Sequence, residues 1–454
     1  MKTPRSVILI YLFVISGLSL SGQYQPININ SFQIGSDLSL AKAIIDKGGI
    51  YYADGEQVEV IPAFMNRKFE YARLRLFHSP NGSSSYGTVN SLSYTLALAK
   101  SIKASGMKLL LDFHYSDTWA DPANQTKPAA WAALDFIRLN DSIVAYTRNT
   151  LNIFAANGVY PDMVQTGNEI DHGMLWPDGR TWTGNIPNYR NFSTLVKSAI
   201  RGVRESVNGT TIPVVLHAAT GGSLSDTRIF VDSLLKYNVG FDVIGLSYYV
   251  AWHGVMSQLD SNLASLSSRY TQNIIIAETN YQADGTLPSG SVISQNQLPF
   301  PFTTQGQYDY LQALYNMARK YPKVKGLYYW GGEYIWAGDI GGSWNSLFNW
   351  DGKARKGLDA FKDLLLSSSL FPLNQQDFSI YYNSEGRTEV RSNIDMYSGI
   401  ELIIYDLQGK MIHKQILDGK ISQLDFKPGN TGMFVAAVLR NGHLVYREKV
   451  LISI

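Results

Sequence analysis

The chain has 454 residues, of which 45% are hydrophobic and 17% charged, a composition typical of a globular protein and not of a disordered one. Lysine and arginine number 39 against 37 aspartate and glutamate residues, so the charge balance gives no support for a nucleic-acid or acidic-lipid partner. The absence of cysteine from the sequence excludes disulfides, thiol nucleophiles and cysteine metal ligands.

The first 22 residues have the pattern of a secretory signal peptide. Lys2 and Arg5 precede an apolar run at 7–15, and small residues follow as far as Gly22. The apolar run is too short for a spanning helix, and no later segment is long and apolar enough for one. We therefore expect cleavage before Gln23 and a secreted or cell-surface protein without a transmembrane segment.

Residues 23–368 alternate short apolar segments with amphipathic segments of helical character, for example at 91–102, 141–154 and 357–366. A strand followed by a helix eight times is the pattern of an α/β fold, the (β/α)8 TIM barrel, because parallel strands need crossover connections. The eight predicted strands are 31–34, 71–77, 108–113, 164–166, 213–217, 243–248, 274–277 and 326–330.

The pattern changes after a short predicted linker at 369–376. From 377 to 454 strand-like segments follow one another without helical ones, and turn signals such as Asn441-Gly442 separate them. This predicts a small antiparallel β-sandwich, to which we assign no catalysis. Its predicted strands are 377–381, 399–405, 410–415, 432–439 and 444–451.

Two of the predicted barrel strands run directly into a glutamate. Glu169 follows the fourth strand through Gly167 and Asn168, and Glu278 follows the β-branched run of the seventh strand. Active sites of TIM barrels lie at this end of the strands, and glycoside hydrolysis ordinarily uses two carboxyl groups. A single glutamate would equally be a polar residue that closes a strand, whereas two of them favour catalysis.

The loop after the third strand concentrates polar and aromatic side chains. Asp112 is followed by His114, Asp117, Trp119 and Asp121. Their spacing matches no standard zinc pattern, so we interpret them as groups that recognise sugar hydroxyls and predict no metal.

The segment from Asp112 to Trp119 resembles the endo-β-1,4-galactanases, which are arabinogalactan-degrading members of the clan A glycoside hydrolases. The resemblance extends to the Gly-Asn-Glu at 167–169 and to Glu278-Thr279, and it covers essentially residues 30–366. Further matching segments are 73–75, 175–177, 247–249, 305–307, 343–344 and 347–348.

This resemblance implies a retaining, two-step displacement. Glu169 would be the general acid/base and Glu278 the nucleophile, with carboxyl groups about 5–5.5 Å apart. Asn168 would form a hydrogen bond with the sugar 2-hydroxyl.

A cation close to the nucleophile would keep that carboxyl ionised. Arg73 and Arg75 project to the same face of the second strand, and we favour Arg75 because it lies nearer the loop end. Tyr248 would orient Glu278 and Trp330 would form a platform for the sugar. The alternative for these two aromatic residues is ordinary packing at the top of the barrel.

The sequence departs from the family pattern at two places. Val250 stands where proline usually follows the paired tyrosines, and Gly331-Gly332 replaces a common Glu-Pro after the eighth strand. These changes concern distal subsites and hence the product profile. Some family members bind structural calcium, but the loop acids here show no calcium-loop pattern, so no cofactor is expected; these acids are Asp284, Asp339 and Asp351.

The C-terminal domain resembles the sorting domain of the type IX secretion system of Bacteroidetes, at residues 404–411, 432–435 and 449–454. That resemblance implies the secretion machinery as a partner, with the domain cleaved off or used for surface attachment. A carbohydrate-binding module is the alternative, but it would be expected to display aromatic residues on one face, and this segment has no tryptophan.

Three functions remain to be weighed: an endo-galactanase acting on β-1,4-galactan, another clan A hydrolase acting on mannan or cellulose, and a non-catalytic sugar-binding barrel. The presence of both glutamates argues against the third, and the motif between Asp112 and Asp121 argues against the second. We therefore expect a polysaccharide as the substrate.

Overall fold

The computed structural model describes residues 24–184 and 186–369, and seven segments of the C-terminal region at 378–382, 388–392, 400–407, 410–417, 421–423, 432–440 and 443–452. The predicted signal peptide lies outside the described residues, as do residues 370–376 of the predicted linker. Among the described residues, no helix combines the length and the apolar character that a membrane crossing requires.

Eight parallel strands form a closed barrel, which confirms the predicted fold. The first strand pairs with both the eighth and the second, and this double pairing closes the sheet. Each predicted strand overlaps an observed one. The observed strands are β1 (Gln33–Asp37), β2 (Tyr71–Leu76), β3 (Lys108–Phe113), β4 (Met163–Thr166), β5 (Val214–Ala218), β6 (Val243–Ser247), β7 (Asn273–Thr279) and β8 (Val324–Tyr329).

Ten α-helices belong to the described part of the barrel domain. The two that follow β2 and β3 begin at side-chain caps, since Ser91 accepts from the Tyr94 N–H and Asp135 from the Arg138 N–H. The helices are α1 (Ala41–Asp46), α2 (Val60–Met65), α3 (Leu92–Ala104), α4 (Phe136–Ala156), α5 (Tyr189–Arg204), α6 (Leu224–Lys236), α7 (Val250–His253), α8 (Met256–Arg269), α9 (Thr304–Arg319) and α10 (Ala360–Ser369).

Short elements of secondary structure lie in the loops between these strands and helices. They are two-stranded ribbons and single 3-10 turns, one of which, Ile170–His172, directly follows Glu169. The ribbons are Tyr51–Ala53 with Glu56–Val58, Gly173–Met174 with Gly179–Arg180, and Trp182–Thr183 with Ile186–Pro187; the other 3-10 turns are Ala129–Trp131, Gly209–Thr211, Gln295–Gln297 and Lys356–Asp359.

The barrel interior has an apolar layer below a polar one. The apolar layer is a single buried cluster of inward-facing residues that includes Tyr71, Leu110, Met163, Val215 and Val243. Side chains alternate along a strand, so the residue two positions later faces the same way. Two residues beyond the apolar layer, β2 to β5 carry arginine, aspartate, glutamine and histidine; these are Arg73, Asp112, Gln165 and His217.

The C-terminal strands form two antiparallel sheets, which confirms a small antiparallel β domain. Sequence analysis missed β10 and β13, which are short and mostly polar. One sheet has the order β9-β10-β13 and the other β12-β11-β14-β15. The strands are β9 (Phe378–Tyr382), β10 (Thr388–Ser392), β11 (Ile400–Tyr405), β12 (Met411–Ile416), β13 (Ile421–Gln423), β14 (Gly432–Arg440) and β15 (His443–Ile452).

Candidate active site

A cleft of about 300 Å³ opens at the C-terminal end of the barrel strands and contains both candidate glutamates. Two sequence-predicted residues, Asp117 and Tyr248, do not line it. The predicted residues that do line it are Arg75, His114, Trp119, Asp121, Asn168, Glu169, Glu278 and Trp330.

Glu278 lies at the end of β7, where the strand departs from regular pairing. The preceding residue, Ala277, belongs to the inward-facing apolar layer, so simple alternation would turn Glu278 outward. The pairing of β7 with β6 and with β8 shifts register at this point, and Glu278 pairs with Ser247. Because of this irregularity, the consecutive residues Ala277 and Glu278 both face the inside of the barrel.

Each carboxylate oxygen of Glu278 has a donor. The Arg73 Nη1 lies 2.8 Å from Oε1. The Tyr249 hydroxyl donates to Oε2 at 2.6 Å. Both contacts favour the ionised form of the carboxyl, which is 6% exposed as a residue.

Arg73, and not Arg75, is the cation that contacts Glu278, so the preference for Arg75 is wrong. The Arg73 guanidinium also reaches Asp37 at 3.2 Å and Asp112 at 2.8 Å. Arg75 instead stacks on the Trp119 ring, 4.3 Å from its centroid. Barrel strands are tilted and staggered, so the residue nearest the loop end of β2 need not be level with the end of β7.

Tyr248 does not orient Glu278, which corrects a second prediction. Its hydroxyl donates to the Gly254 carbonyl at 2.8 Å, and its side chain is fully buried in the core outside the barrel. Tyr249 has the role that we expected of its neighbour. The sequence could have indicated this, because side chains alternate along a strand and Tyr249 is separated by an even number of residues from Val243 and Ser247, which point into the barrel.

Glu169 lies on an unusual backbone, with φ 48° and ψ 56° in the left-handed region. Residues other than glycine rarely adopt this conformation, and its cost is tolerated mostly at functional sites. The Glu169 N–H is directed to the Nδ1 of His217 at 3.3 Å. Its Oε1 accepts a hydrogen bond of 2.6 Å from the Ser247 hydroxyl.

The two glutamates differ in the charge around them. Burial, followed by the charge of Glu278, raises the pKa of Glu169 well above its usual value. Burial also raises the pKa of Glu278, but the Arg73 charge and the Tyr249 hydrogen bond oppose that rise. Of the two carboxyl groups, Glu169 therefore holds a proton more readily and Glu278 gives its proton up more readily.

Asn168 is held between Arg73 of β2 and the loop that follows β3. Its Oδ1 accepts from the Arg73 Nη2 at 2.8 Å, and its Nδ2 donates to the Ala120 carbonyl at 2.8 Å. Gly167 before it has a φ of +103°, and a Cβ there would lie 2.7 Å from the Ile170 side chain. This glycine is therefore needed for the turn that brings Asn168 and Glu169 to the cleft.

A protein-family model described as glycosyl hydrolase family 53 matches residues 33–368 of the chain. The chain belongs to glycosyl hydrolase family 53. It is therefore a glycoside hydrolase, and the matched region coincides with the barrel described above.

Individual family 53 proteins give the same result. A probable arabinogalactan endo-β-1,4-galactanase A from Neosartorya fischeri is 32% identical over 339 residues, covering 72% of this chain and 92% of the relative. The solved family 53 catalytic domain of Ignisphaera aggregans is 33% identical with a TM-score of 0.65, and the match covers 75% of this chain and 98% of that domain. A fungal β-1,4-galactanase structure is 27% identical with a TM-score of 0.66, and the match covers 73% and 99%.

The predicted loop after β3 divides into cleft residues and structural residues of the family 53 barrel. His114 is buried, and its Nε2 lies 3.1 Å from Asp112 while its Nδ1 accepts from the Ala120 N–H. Trp119 lines the cleft and donates from Nε1 to the Tyr86 carbonyl at 2.8 Å.

The two predicted aspartates of this loop have different surroundings. Asp121 lines the cleft, and one of its oxygens accepts from the Ala123 N–H at 2.7 Å. Asp117 accepts from the backbone N–H groups of Ser79 and Ala129 at 2.9 and 2.8 Å, so it connects three loop segments. The geometry thus gives Asp117 a role in loop structure, at a distance from the cleft lining.

Exposed tryptophans extend the cleft of the family 53 barrel. Trp330 is partly exposed, and its ring centroid lies 6.4 Å from that of Trp119. Trp252, which sequence analysis missed, is 45% exposed and lines both the cleft and a neighbouring cavity of about 900 Å³. Asp171 and Trp182 also line that cavity, which lies on the side of Glu169.

The described residues contain no group of three or more histidine, aspartate or glutamate side chains that could hold a metal ion. Two of the loop acids considered above form ion pairs instead. Asp339 contacts Lys47 at 3.0 Å, and Asp351 contacts Lys353 at 2.8 Å. The absence of a metal stays a prediction.

Proposed function

We propose that this protein is an endo-β-1,4-galactanase that hydrolyses β-1,4-galactan with retention through a covalent glycosyl-enzyme intermediate. The observation that carries the proposal is the opposite environment of two carboxyl groups in one cleft. Glu278 contacts a cation and a phenol, whereas Glu169 accepts a hydrogen bond from the neutral hydroxyl of Ser247. The galactanase names of the family 53 relatives support the choice of substrate.

In the first step the ionised Glu278 attacks the anomeric carbon of a galactosyl unit. Glu169 gives its proton to the glycosidic oxygen as the bond to the leaving chain breaks. In the second step Glu169, now a carboxylate, takes a proton from water, and the resulting nucleophile displaces Glu278 from the anomeric carbon. Two inversions at that carbon give net retention.

Other cleft residues would bind the chain. Asn168 is fixed with its amide at the cleft, which suits a hydrogen bond to the 2-hydroxyl of the reacting unit. Trp330 offers an aromatic face to a sugar ring. The cavity beside Trp252 continues the cleft on the side of the proton donor, and room for further sugar units there favours cleavage within a chain.

The proposal is tested by incubating the purified protein with potato galactan, arabinogalactan, mannan and cellulose. We expect a ladder of galacto-oligosaccharides from galactan, and NMR of the earliest products should show the β-anomer first. The matched control is Glu278→Gln, which should release no sugar. Cleavage of mannan or cellulose in preference to galactan would reject the substrate, and an α-anomer formed first would reject retention.

We further propose that the protein is secreted, through its N-terminal signal sequence and a type IX sorting role of the C-terminal β domain. The support is the charge and hydropathy pattern of residues 1–22 and the motif at 404–411. Deletion of residues 373–454 in the native host should leave the enzyme inside the cell envelope. Normal release of that truncation into the medium would refute the sorting role.

A further inference from the structure

A buried chain of hydrogen bonds connects the proposed proton donor to a histidine of the barrel interior. Ser247, the last residue of β6, lies between the two groups. Its Oγ is 2.6 Å from Glu169 Oε1 and 2.8 Å from His217 Nε2. Both Ser247 and His217 are completely buried, so water does not compete for these contacts.

The direction of these hydrogen bonds follows from the other ring nitrogen. His217 Nδ1 faces two N–H donors, the backbone of Glu169 at 3.3 Å and Gln165 Nε2 at 3.0 Å. The amide of Gln165 cannot be reversed, because its Nε2 donates to Asp112 Oδ1 while its Oε1 accepts from Arg73 Nε.

Nδ1 also lies 3.1 Å from Asn168 Oδ1, but that oxygen already accepts from two donors, Arg73 Nη2 at 2.8 Å and Gln165 Nε2 at 3.3 Å. A proton on Nδ1 would leave the Glu169 and Gln165 N–H groups facing a donor. Burial and the Arg73 charge lower the pKa of His217 well below its usual value, so the ring is neutral. Its single proton is therefore on Nε2.

His217 Nε2–H therefore donates a hydrogen bond to Ser247 Oγ. The single hydrogen of the serine hydroxyl is then free to donate to Glu169 Oε1. That oxygen is then an acceptor, so a protonated Glu169 carries its hydrogen on Oε2. We propose that His217 and Ser247 are positioning residues that fix the catalytic proton of Glu169 on Oε2 and thereby determine the direction of proton transfer to the leaving oxygen.

The same hydrogen bond serves both chemical steps. When Glu169 has lost its proton, Ser247 already donates to the carboxylate, so no hydroxyl has to rotate before the glutamate acts as a base. Preorganised donors of this kind are effective because they cost no reorganisation during the reaction. The inference rests on the proposed function of Glu169 as acid/base and adds the residues that orient it.

The test uses the full-length protein and two substrates that differ in their need for a proton. The sugar hydroxyl that leaves when galactan is cleaved needs a proton, whereas the dinitrophenolate that leaves a dinitrophenyl β-galactobioside departs as an anion without one. Because proton donation is worth about 10²–10⁴-fold, we expect Ser247→Ala to lower kcat/KM on galactan by about tenfold or more and on the aryl substrate by about twofold at most. Ser247→Thr keeps the hydroxyl and should restore most of the galactan activity.

The pH profile provides a second readout. Ser247 lowers the pKa of Glu169, so its removal should move the alkaline limb of kcat/KM on galactan to higher pH. Ser247→Ala leaves in place all the other charged or titratable groups that act on these two residues. Those that act on Glu169 are Glu278, Asp171, Arg73 and Tyr249. Those that act on His217 are Arg73, Asp112, His114 and His253.

Ser36→Ala is the matched control, since Ser36 is also a buried serine of a barrel strand and donates to the Tyr329 carbonyl at 3.0 Å. It should leave the ratio of the two activities and the alkaline limb unchanged. Equal losses on both substrates for Ser247→Ala, or no loss on either, would overturn the positioning role. A wild-type enzyme that fails to cleave galactan would instead refute the proposed function.

Discussion

Two adjacent tyrosines provide a direct test of how the nucleophile is held. The Tyr249 hydroxyl donates to Glu278 at 2.6 Å, whereas the Tyr248 hydroxyl donates to the Gly254 carbonyl at 2.8 Å. Tyr249→Phe and Tyr248→Phe therefore each remove one buried hydroxyl, and of the two only the Tyr249 hydroxyl contacts Glu278, the proposed nucleophile.

The expected size of each effect follows from the acceptor. A hydrogen bond to a charged group contributes about 1.5–3 kcal/mol, which corresponds to a fall of about ten- to a hundredfold in kcat/KM for Tyr249→Phe. The bond from Tyr248 is to a neutral carbonyl, so its loss should lower the free energy of unfolding by about 1 kcal/mol and leave kcat/KM nearly unchanged.

The assay is the initial rate of reducing-end release from soluble galactan across a range of pH, with thermal unfolding measured in parallel. The Tyr249 hydrogen bond lowers the pKa of Glu278. Its removal should therefore move the acidic limb of the profile to higher pH, because the ionised nucleophile is lost sooner on acidification. If both variants lose activity equally, or Tyr248→Phe alone loses it, this account of the nucleophile is refuted.

Further outcomes follow from the same geometry. Glu278→Ala should abolish hydrolysis yet leave galactan binding intact, as calorimetry would show; unchanged turnover would exclude it as nucleophile. Arg73→Lys should lower kcat by about a hundredfold or more, because a single ammonium group cannot replace a guanidinium that contacts three carboxylates. Arg75→Lys should act mainly on KM. Burial raises the pKa of Glu333 to about 8, so the folded state keeps a proton that the unfolded state releases near 4.5. Stability should fall as pH rises between those values, and Glu333→Gln should raise the melting temperature at pH 8 more than at pH 5; equal shifts would contradict this. Deletion of residues 373–454 should spare galactan hydrolysis by the purified enzyme, and loss of activity would indicate a binding or structural role.

The architecture of the barrel was predictable because each strand is marked by local sequence. A run such as Ile274-Ile-Ile-Ala277 is apolar on both faces and favours a buried parallel strand. The position of a glutamate at the end of such a run also predicts where its side chain will lie, since strand ends of a barrel converge on one rim. Both Glu169 and Glu278 were identified in this way.

Partners of these glutamates were harder to predict, because they depend on stagger and on bulges. Arg73 and Arg75 have the same parity, and nothing in the sequence reports which one is level with Glu278. The irregular pairing at the end of β7 is likewise unmarked, since Ala277-Glu278 reads as ordinary alternation. His217 lies inside a strand without any motif, where a histidine is most often a satisfied core residue. Ser247 belongs to the matching segment 247–249, but nothing in that segment reports that its hydroxyl contacts Glu169.

The number of carboxylates around Arg73 explains why Glu278 needs the additional hydrogen bond from Tyr249. One guanidinium faces three carboxylates, those of Asp37, Asp112 and Glu278, so its charge is shared. The two aspartates raise the pKa of Glu278 and offset part of what Arg73 provides. A neutral donor adds stabilisation of the Glu278 anion without adding another charge to be balanced. Tyr249 meets this need, and it lies just after β6, at a position that sequence spacing does not connect with either Arg73 or Glu278.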